Sequence, residues 1–167
     1  MQDDHDVNSA TTRAVTEKLM AYWSVQDVEQ VVALHAEDAV SVVHLDHPEV
    51  PMSGETLGRE AIAAGLYGNL ATWFYLSFVP TIMRVDGDKA TVQVQFEYQH
   101  QRTGLRLAST MRWVVIVTDE LVRRVDCYHD SARVAAFMRL LRAHEGATGD
   151  VGVGDGELPC GRVDGDA

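Results

Sequence analysis

Histidine, tyrosine and cysteine, the side chains that carry or polarise protons, end two of three alternating segments of this chain, as Tyr98 and His100 and as Cys127 and His129. Tyr98 and His100 close a run that begins Val92, Val94, Phe96, while Gln93, Gln95, Glu97 and Gln99 fill the positions between. Leu107, Ser109, Met111, Trp113 and Val115 alternate with Arg106, Ala108, Thr110 and Arg112. Val125, Cys127 and His129 then alternate with Arg124, Asp126 and Tyr128. Period-two alternation is the pattern of half-buried strands, and three such runs joined by short Gly-containing or acidic turns predict an antiparallel meander. Its apolar face carries a few polar groups, which must bond to one another or border a cavity that holds water or a ligand.

His129 ends the last run on the side of Val125 and Cys127, and the ordinary pKa of imidazole suits general acid–base work near neutrality. Tyr98, on the same face, has the phenol needed to donate a hydrogen bond to a carbonyl or hydroxyl. These two are the predicted catalytic groups, with Phe96, Met111, Trp113 and Cys127 as substrate contacts. Cys127 has no lysine nearby to activate it and is read as a small core residue. His100, near a strand end, is expected to face solvent. On the first helix Tyr22 and Trp23 follow Leu19 by about a turn; one of them should face the pocket, and spacing does not choose between them.

His44-Leu45-Asp46-His47 has metal-ligand residue types. Strand alternation sends His44 and Leu45 to opposite faces and leaves His47 in a Pro-bounded loop, so no metal site is predicted and the segment is read as a polar loop over the pocket mouth. A bulge at the strand end would instead turn His44 inward as a second acid–base group.

The elements that must position these residues follow from periodicity. Helical spacing runs from Ala10 to Ser24 through Ala14, Leu19, Tyr22 and Trp23, and Asp27 caps a second short helix that carries Val28 to His35. Residues 39 to 45 are β-branched enough for a strand; residues 46 to 54, with Pro48 and Pro51, make a loop. A third helix covers 58 to 70, a strand 76 to 85, and Asp86-Gly87-Asp88 is a hairpin turn. A last helix spans 131 to 144. Residues 1 to 9 and the acidic, Gly-rich residues 145 to 167 lack the apolar content to offset ordering and are expected to be disordered. The order of elements predicts an α+β fold: a strongly curved antiparallel sheet on three N-terminal helices, a cone-shaped roll, plus a C-terminal helix. Such a roll leaves a pocket at its open end.

With 167 residues and 46% hydrophobic content, one domain over 10 to 144 can bury a sizeable core. A formal charge of -11 without a basic cluster argues against nucleic acid as partner. The absence of a long apolar run argues against a membrane. With no secretory signal in the first residues and Cys160 placed far from Cys127 in a Gly-rich tail, a cytoplasmic, reducing location is expected.

Ser24-Val25-Gln26-Asp27, Leu34-His35-Ala36-Glu37-Asp38-Ala39, Gly58-Arg59-Glu60-Ala61-Ile62, Val85-Asp86-Gly87-Asp88-Lys89-Ala90 and Tyr128-His129-Asp130 together resemble the nuclear transport factor 2-like superfamily, in its branch of SnoaL-like polyketide cyclases and ketosteroid isomerase-like proteins. The likeness covers residues 10 to 142. It implies a scaffold that hosts isomerases, dehydratases, epoxide hydrolases, cyclases and non-enzymes. Where ketosteroid isomerases carry their tyrosine and two acids this chain has Leu19, Val43 and Met111. Where limonene epoxide hydrolases carry their polar set it has Tyr98, Phe96, Cys127, Ser41 and Val43. Neither chemistry is expected, but both alignments place Val43 in the pocket, and the second places Ser41 there as well. The resulting expectation is an enzyme without metal or organic cofactor that isomerises, dehydrates or cyclises an apolar, cyclic or polyketide-like molecule. The alternative is a non-catalytic module that binds a hydrophobic ligand or dimerises. The resemblance also favours a homodimer through the outer sheet face, whose mixed charges permit self-complementary pairing.

Overall fold

The computed structural model describes residues 2–45 and 53–149. Helix α1 spans Gln2–Ser24 and α2 spans Val28–Ala33, followed by strands β1 (His35–His44) and β2 (Gly54–Leu57). Then come α3 (Arg59–Thr72), β3 (Trp73–Asp86), β4 (Lys89–His100), β5 (Arg106–Thr118), β6 (Leu121–His129) and α4 (Ser131–Gly149). The six strands form one sheet in the order β2-β1-β6-β5-β4-β3. The expected α+β roll is therefore present, with one difference: β1 pairs with β6 in parallel, so the sheet is antiparallel everywhere but there.

Alternation dictated the facing of the sheet. Val92, Val94 and Val115 are wholly buried and Phe96, Met111, Val125 and Cys127 nearly so, against Val15, Leu19, Met20 and Trp23 of α1 and Val28 and Val31 of α2. The buried stripe of α1 runs Thr12, Val15, Thr16, Leu19, Met20, Trp23, the three-and-four spacing of one helix face; Ala14, expected in it, is exposed. Burying one such Leu or Val contributes about 1.5–3 kcal/mol, so this layer dominates the stability of the roll. Register shifts between Tyr75 and Ser77, Ile82 and Arg84, and Ile116 and Val117 bend the long strands around the helices.

Several boundaries move. Disorder was expected over residues 1 to 9, yet α1 is helical from Gln2; Ser9 Oγ accepts a bond from Gly87 N at 3.0 Å, which ties this end of the helix to the β3–β4 turn. Asp27 caps α2 as expected, its side chain accepting from Gln30 N at 3.2 Å. That helix stops at Ala33, however, and His35 already belongs to β1, where Val122 N donates to Leu34 O at 2.8 Å. Gly58 sits at φ 93, a left-handed value that favours glycine, and its N–H bonds Ala39 O at 2.8 Å, docking the start of α3 on β1. Strand β2 was not foreseen. Helix α4 continues five residues past its expected end, so residues 145 to 149 are helical. Residues 150 to 167 of the expected tail, and 46 to 52 of the expected loop, lie outside the described residues. Among the described residues no helix is long and apolar enough to cross a membrane.

Candidate functional site

At the open end of the roll the inner sheet face encloses a cavity of about 170 Å³. Because β6 lies between β1 and β5, Ser41 and Val43 stand opposite Val125 and Cys127 on one side, and Met111 and Trp113 stand opposite His129 and Cys127 on the other. All of these line the cavity, as do Phe96 and Tyr98 of β4. Helix α1 contributes Trp23, α3 contributes Asn69, and α4 closes the space with Val134, Phe137 and Met138.

His129 is the central polar group. Its Nε2 lies 3.4 Å from Cys127 Sγ, its ring meets Phe96 edge-on at 5.9 Å, and its Nδ1 is closed off without a hydrogen-bond partner. Burial among apolar neighbours pushes its pKa from 6.5 down to about 4, so the imidazole is neutral at pH 7. Burial pushes the Cys127 thiol up to about 12, which keeps it protonated. Cys127 Sγ also lies 3.5 Å from Met111 Sδ, which accepts the indole N–H of Trp113 at 3.2 Å. The cysteine is thus the small core residue expected, packed among sulfur and aromatic groups.

Tyr98 stacks between Phe96 at 4.3 Å and Tyr75 at 4.1 Å. Burial raises its pKa well above the ordinary value, and the facing Tyr75 adds to the rise. Tyr75 is raised too, chiefly by burial. Every titratable group on this wall is therefore held in its neutral form.

The sequence pattern described as a SnoaL-like domain matches residues 16–125. The chain belongs to this family. The SnoaL-like domain resembles, in three dimensions, a candidate isomerase from Bacillus subtilis at 21% identity and TM-score 0.66, over 77% of this chain and 93% of that one. It also resembles a candidate polyketide cyclase from Xanthomonas campestris pv. campestris at 16% identity and TM-score 0.64, over 78% and 98%. A third likeness is to TerC co-crystallised with polyporic acid, at 15% identity and TM-score 0.68, over 77% and 98%. No curated protein matches the chain. Likenesses at such identities concern the fold.

Within this SnoaL-like domain the open choice on α1 is decided, and two expected positions differ. Of Tyr22 and Trp23, Trp23 lines the cavity and Tyr22 packs against the core beside it. His44 does not turn inward: no bulge intervenes at the end of β1, so alternation holds and the ring lies on the outer face. There its Nε2–H donates to Asp126 Oδ1 at 2.8 Å, and its ring stacks on Tyr128 at 4.2 Å. Asp126 also receives Arg124 Nε at 2.7 Å and Arg124 Nη2 at 2.9 Å, and the Arg124 bonds hold its carboxyl below the usual range. His100, expected toward solvent, is buried against Trp73 and bonds Thr103 Oγ1 at 3.0 Å. Among the described residues no three His, Cys, Asp or Glu side chains gather as a metal site; Asp46 and His47 lie outside them.

The sequence reading missed Asn69, Trp73, Tyr75, Phe137 and Met138. Tyr75 was legible in principle, because the register of β3 sets it opposite Tyr98. The helix residues carried no signal beyond their apolar spacing.

Proposed function

We propose that the chain is an enzyme that moves a proton on an apolar, cyclic or polyketide-like substrate, in an isomerisation, dehydration or cyclisation. His129 takes or returns the proton, and the Tyr98 hydroxyl bonds the substrate oxygen on which charge develops. The observation that carries this reading is His129, an imidazole lining the cavity whose Nδ1 is buried without a hydrogen-bond partner. An imidazole with a pKa of about 4 keeps its lone pair free at neutral pH but is a weak base. It suits a carbon acid already activated by flanking carbonyl or aryl groups, as polyketide-like chains are. The candidate isomerase and cyclase among the structural relatives, and TerC co-crystallised with polyporic acid, lend support from the fold alone.

The test uses 2-tetralone, whose ring-activated protons next to the carbonyl exchange in D₂O. The protein should accelerate that exchange, and His129→Ala should cut the acceleration by about a hundredfold or more. Equal rates in the two proteins would remove His129 from the chemistry. One observation favours a second reading, binding without turnover: no Asp or Glu lines the cavity among the described residues. In that case 2-tetralone quenches the fluorescence of Trp23 and Trp113 without faster exchange. Within the same proposal the outer sheet face is covered by a second copy of the chain, since Phe74 and Val79 project from it 53% and 54% exposed.

A further inference from the structure

Behind the main cavity lies an annex of about 40 Å³ that shares Trp23, Ser41, Leu66, Trp113 and Val125 with it and is closed by His35. His35 is only 3% exposed. Its Nδ1 lies 2.8 Å from Val31 O, a carbonyl near the end of α2 that can only accept, so the ring proton sits on Nδ1 and Nε2 presents a lone pair. Among the described residues nothing hydrogen-bonds that Nε2. The α2 carbonyl thus fixes the tautomer before any ligand arrives. Burial, with a smaller contribution from the Arg59 charge, also holds the imidazole below its ordinary pKa, which preserves the lone pair. A space of this size takes one water-sized group.

We propose that the annex is a hydroxyl-recognition subsite, in which His35 Nε2 accepts a hydrogen bond from a hydroxyl on the buried end of the ligand. Ser41, on the shared wall, borders both spaces, and among the described residues nothing hydrogen-bonds its hydroxyl, so it can bond the same oxygen. The ligand class is a neutral phenol or alcohol on a ring system. A carbonyl or a carboxylate would bring its own lone pairs against Nε2 and is disfavoured, as is an aryl fluoride of the same shape. This rests on the reading of the main cavity as a ligand site, and it adds the side chain that chooses the functional group.

The experiment compares 2-naphthol with 2-fluoronaphthalene by tryptophan quenching in the wild-type protein, His35→Leu and His35→Gln. Wild type should prefer 2-naphthol by roughly three- to tenfold, the span of one net hydrogen bond, and His35→Leu should bring the preference to within about twofold of unity. Its affinity for 2-fluoronaphthalene should stay unchanged, which a general loss of packing would not allow. His35→Gln, which keeps an acceptor, should restore part of the preference. Nitrogen-15 NMR of the wild-type protein keeps the idea testable if the variants fail to fold: the Nε2 signal of His35 should move on adding 2-naphthol and stay still on adding 2-fluoronaphthalene. A preference that survives in His35→Leu, or an Nε2 signal blind to 2-naphthol, would overturn the subsite while leaving the main cavity intact. Failure of both ligands to bind wild type would overturn the cavity reading and the subsite with it.

Discussion

His129→Gln isolates the energetic consequence of burying an imidazole without a partner. The unfolded chain protonates this side chain near 6.5 and the folded chain near 4, so between those values the unfolded state holds a proton that the folded state refuses. Stability therefore falls as pH drops from 6.5 toward 4, is unaffected by this group above 6.5, and has lost the whole contribution below 4. At about 1.4 kcal/mol per pH unit the full loss is about 3 kcal/mol, and roughly 1 kcal/mol of it is gone by pH 5.5. Working at 5.5 keeps the chain above its sequence pI of about 4.9, where it would tend to precipitate. Glutamine preserves a neutral polar side chain of similar reach and cannot titrate. Urea denaturation at pH 7.5 and 5.5, followed by tryptophan fluorescence, should show wild type losing roughly 1 kcal/mol more than His129→Gln. His35, also shifted down by burial, contributes equally to both proteins and cancels. Equal losses, or an imidazole Hε1 resonance of His129 titrating near 6.5, would refute the claim that this ring is buried and unpaired.

Asp126→Asn removes the charge that accepts two Arg124 bonds and one His44 bond, at a cost of about 1–3 kcal/mol at pH 7. Its melting temperature should drop by several degrees while 2-naphthol affinity stays at the wild-type value, because the cluster lies on the opposite face from the cavity. If a second copy covers the outer face, sedimentation should give twice the 18.4 kDa chain mass for wild type, and Val79→Lys should shift it to the single-chain value; wild type sedimenting as a single chain would refute the pairing.

The cavity wall was legible in the sequence because strands report their facing through alternation. Phe96, Met111, Trp113, Cys127 and His129 all share one parity, and a sheet packed on helices leaves that parity one buried destination. The same rule gave Ser41 and Val43 once the resemblance set them in the pocket, and it disposed of His44, whose parity is that of Asp126 rather than Cys127. What alternation does not encode is pairing across long separations. The parallel contact of β1 with β6 depends on helix α3 and the meander folding back, and no local residue announces it. The choice between Tyr22 and Trp23 turned on a rotation of α1 finer than apolar spacing resolves. The closing role of Phe137 and Met138 required knowing where α4 lands. His35 was hidden by a boundary error: placed on a helix it had no annex to face, and only the early start of β1 brings it there.

The cavity's electrostatics limit the reactions it can support more tightly than its shape does. Its titratable side chains are all pushed toward their neutral forms: His129 downward, Cys127, Tyr75 and Tyr98 upward. The charged cluster of Asp126 and Arg124 sits on the other face of the sheet, where the buried carboxylate is paired with the part-exposed guanidinium and not with anything in the cavity. A ligand that entered ionised would meet no counter-charge from this lining and would lose its hydration, so the proposed site favours neutral molecules. Any negative charge formed on an oxygen during reaction must be spread over hydrogen bonds from neutral donors. In the proposed mechanism the Tyr98 phenol supplies one of them, and its raised pKa makes it a donor that keeps its own proton. Under the proposed function, with a weak base and a weak acid lining one cavity, the reaction this site supports is proton relocation on a substrate acidic enough to need little help. Keto–enol interconversion and ring closure of activated carbonyl chains meet that condition, whereas hydrolysis of an unactivated bond does not.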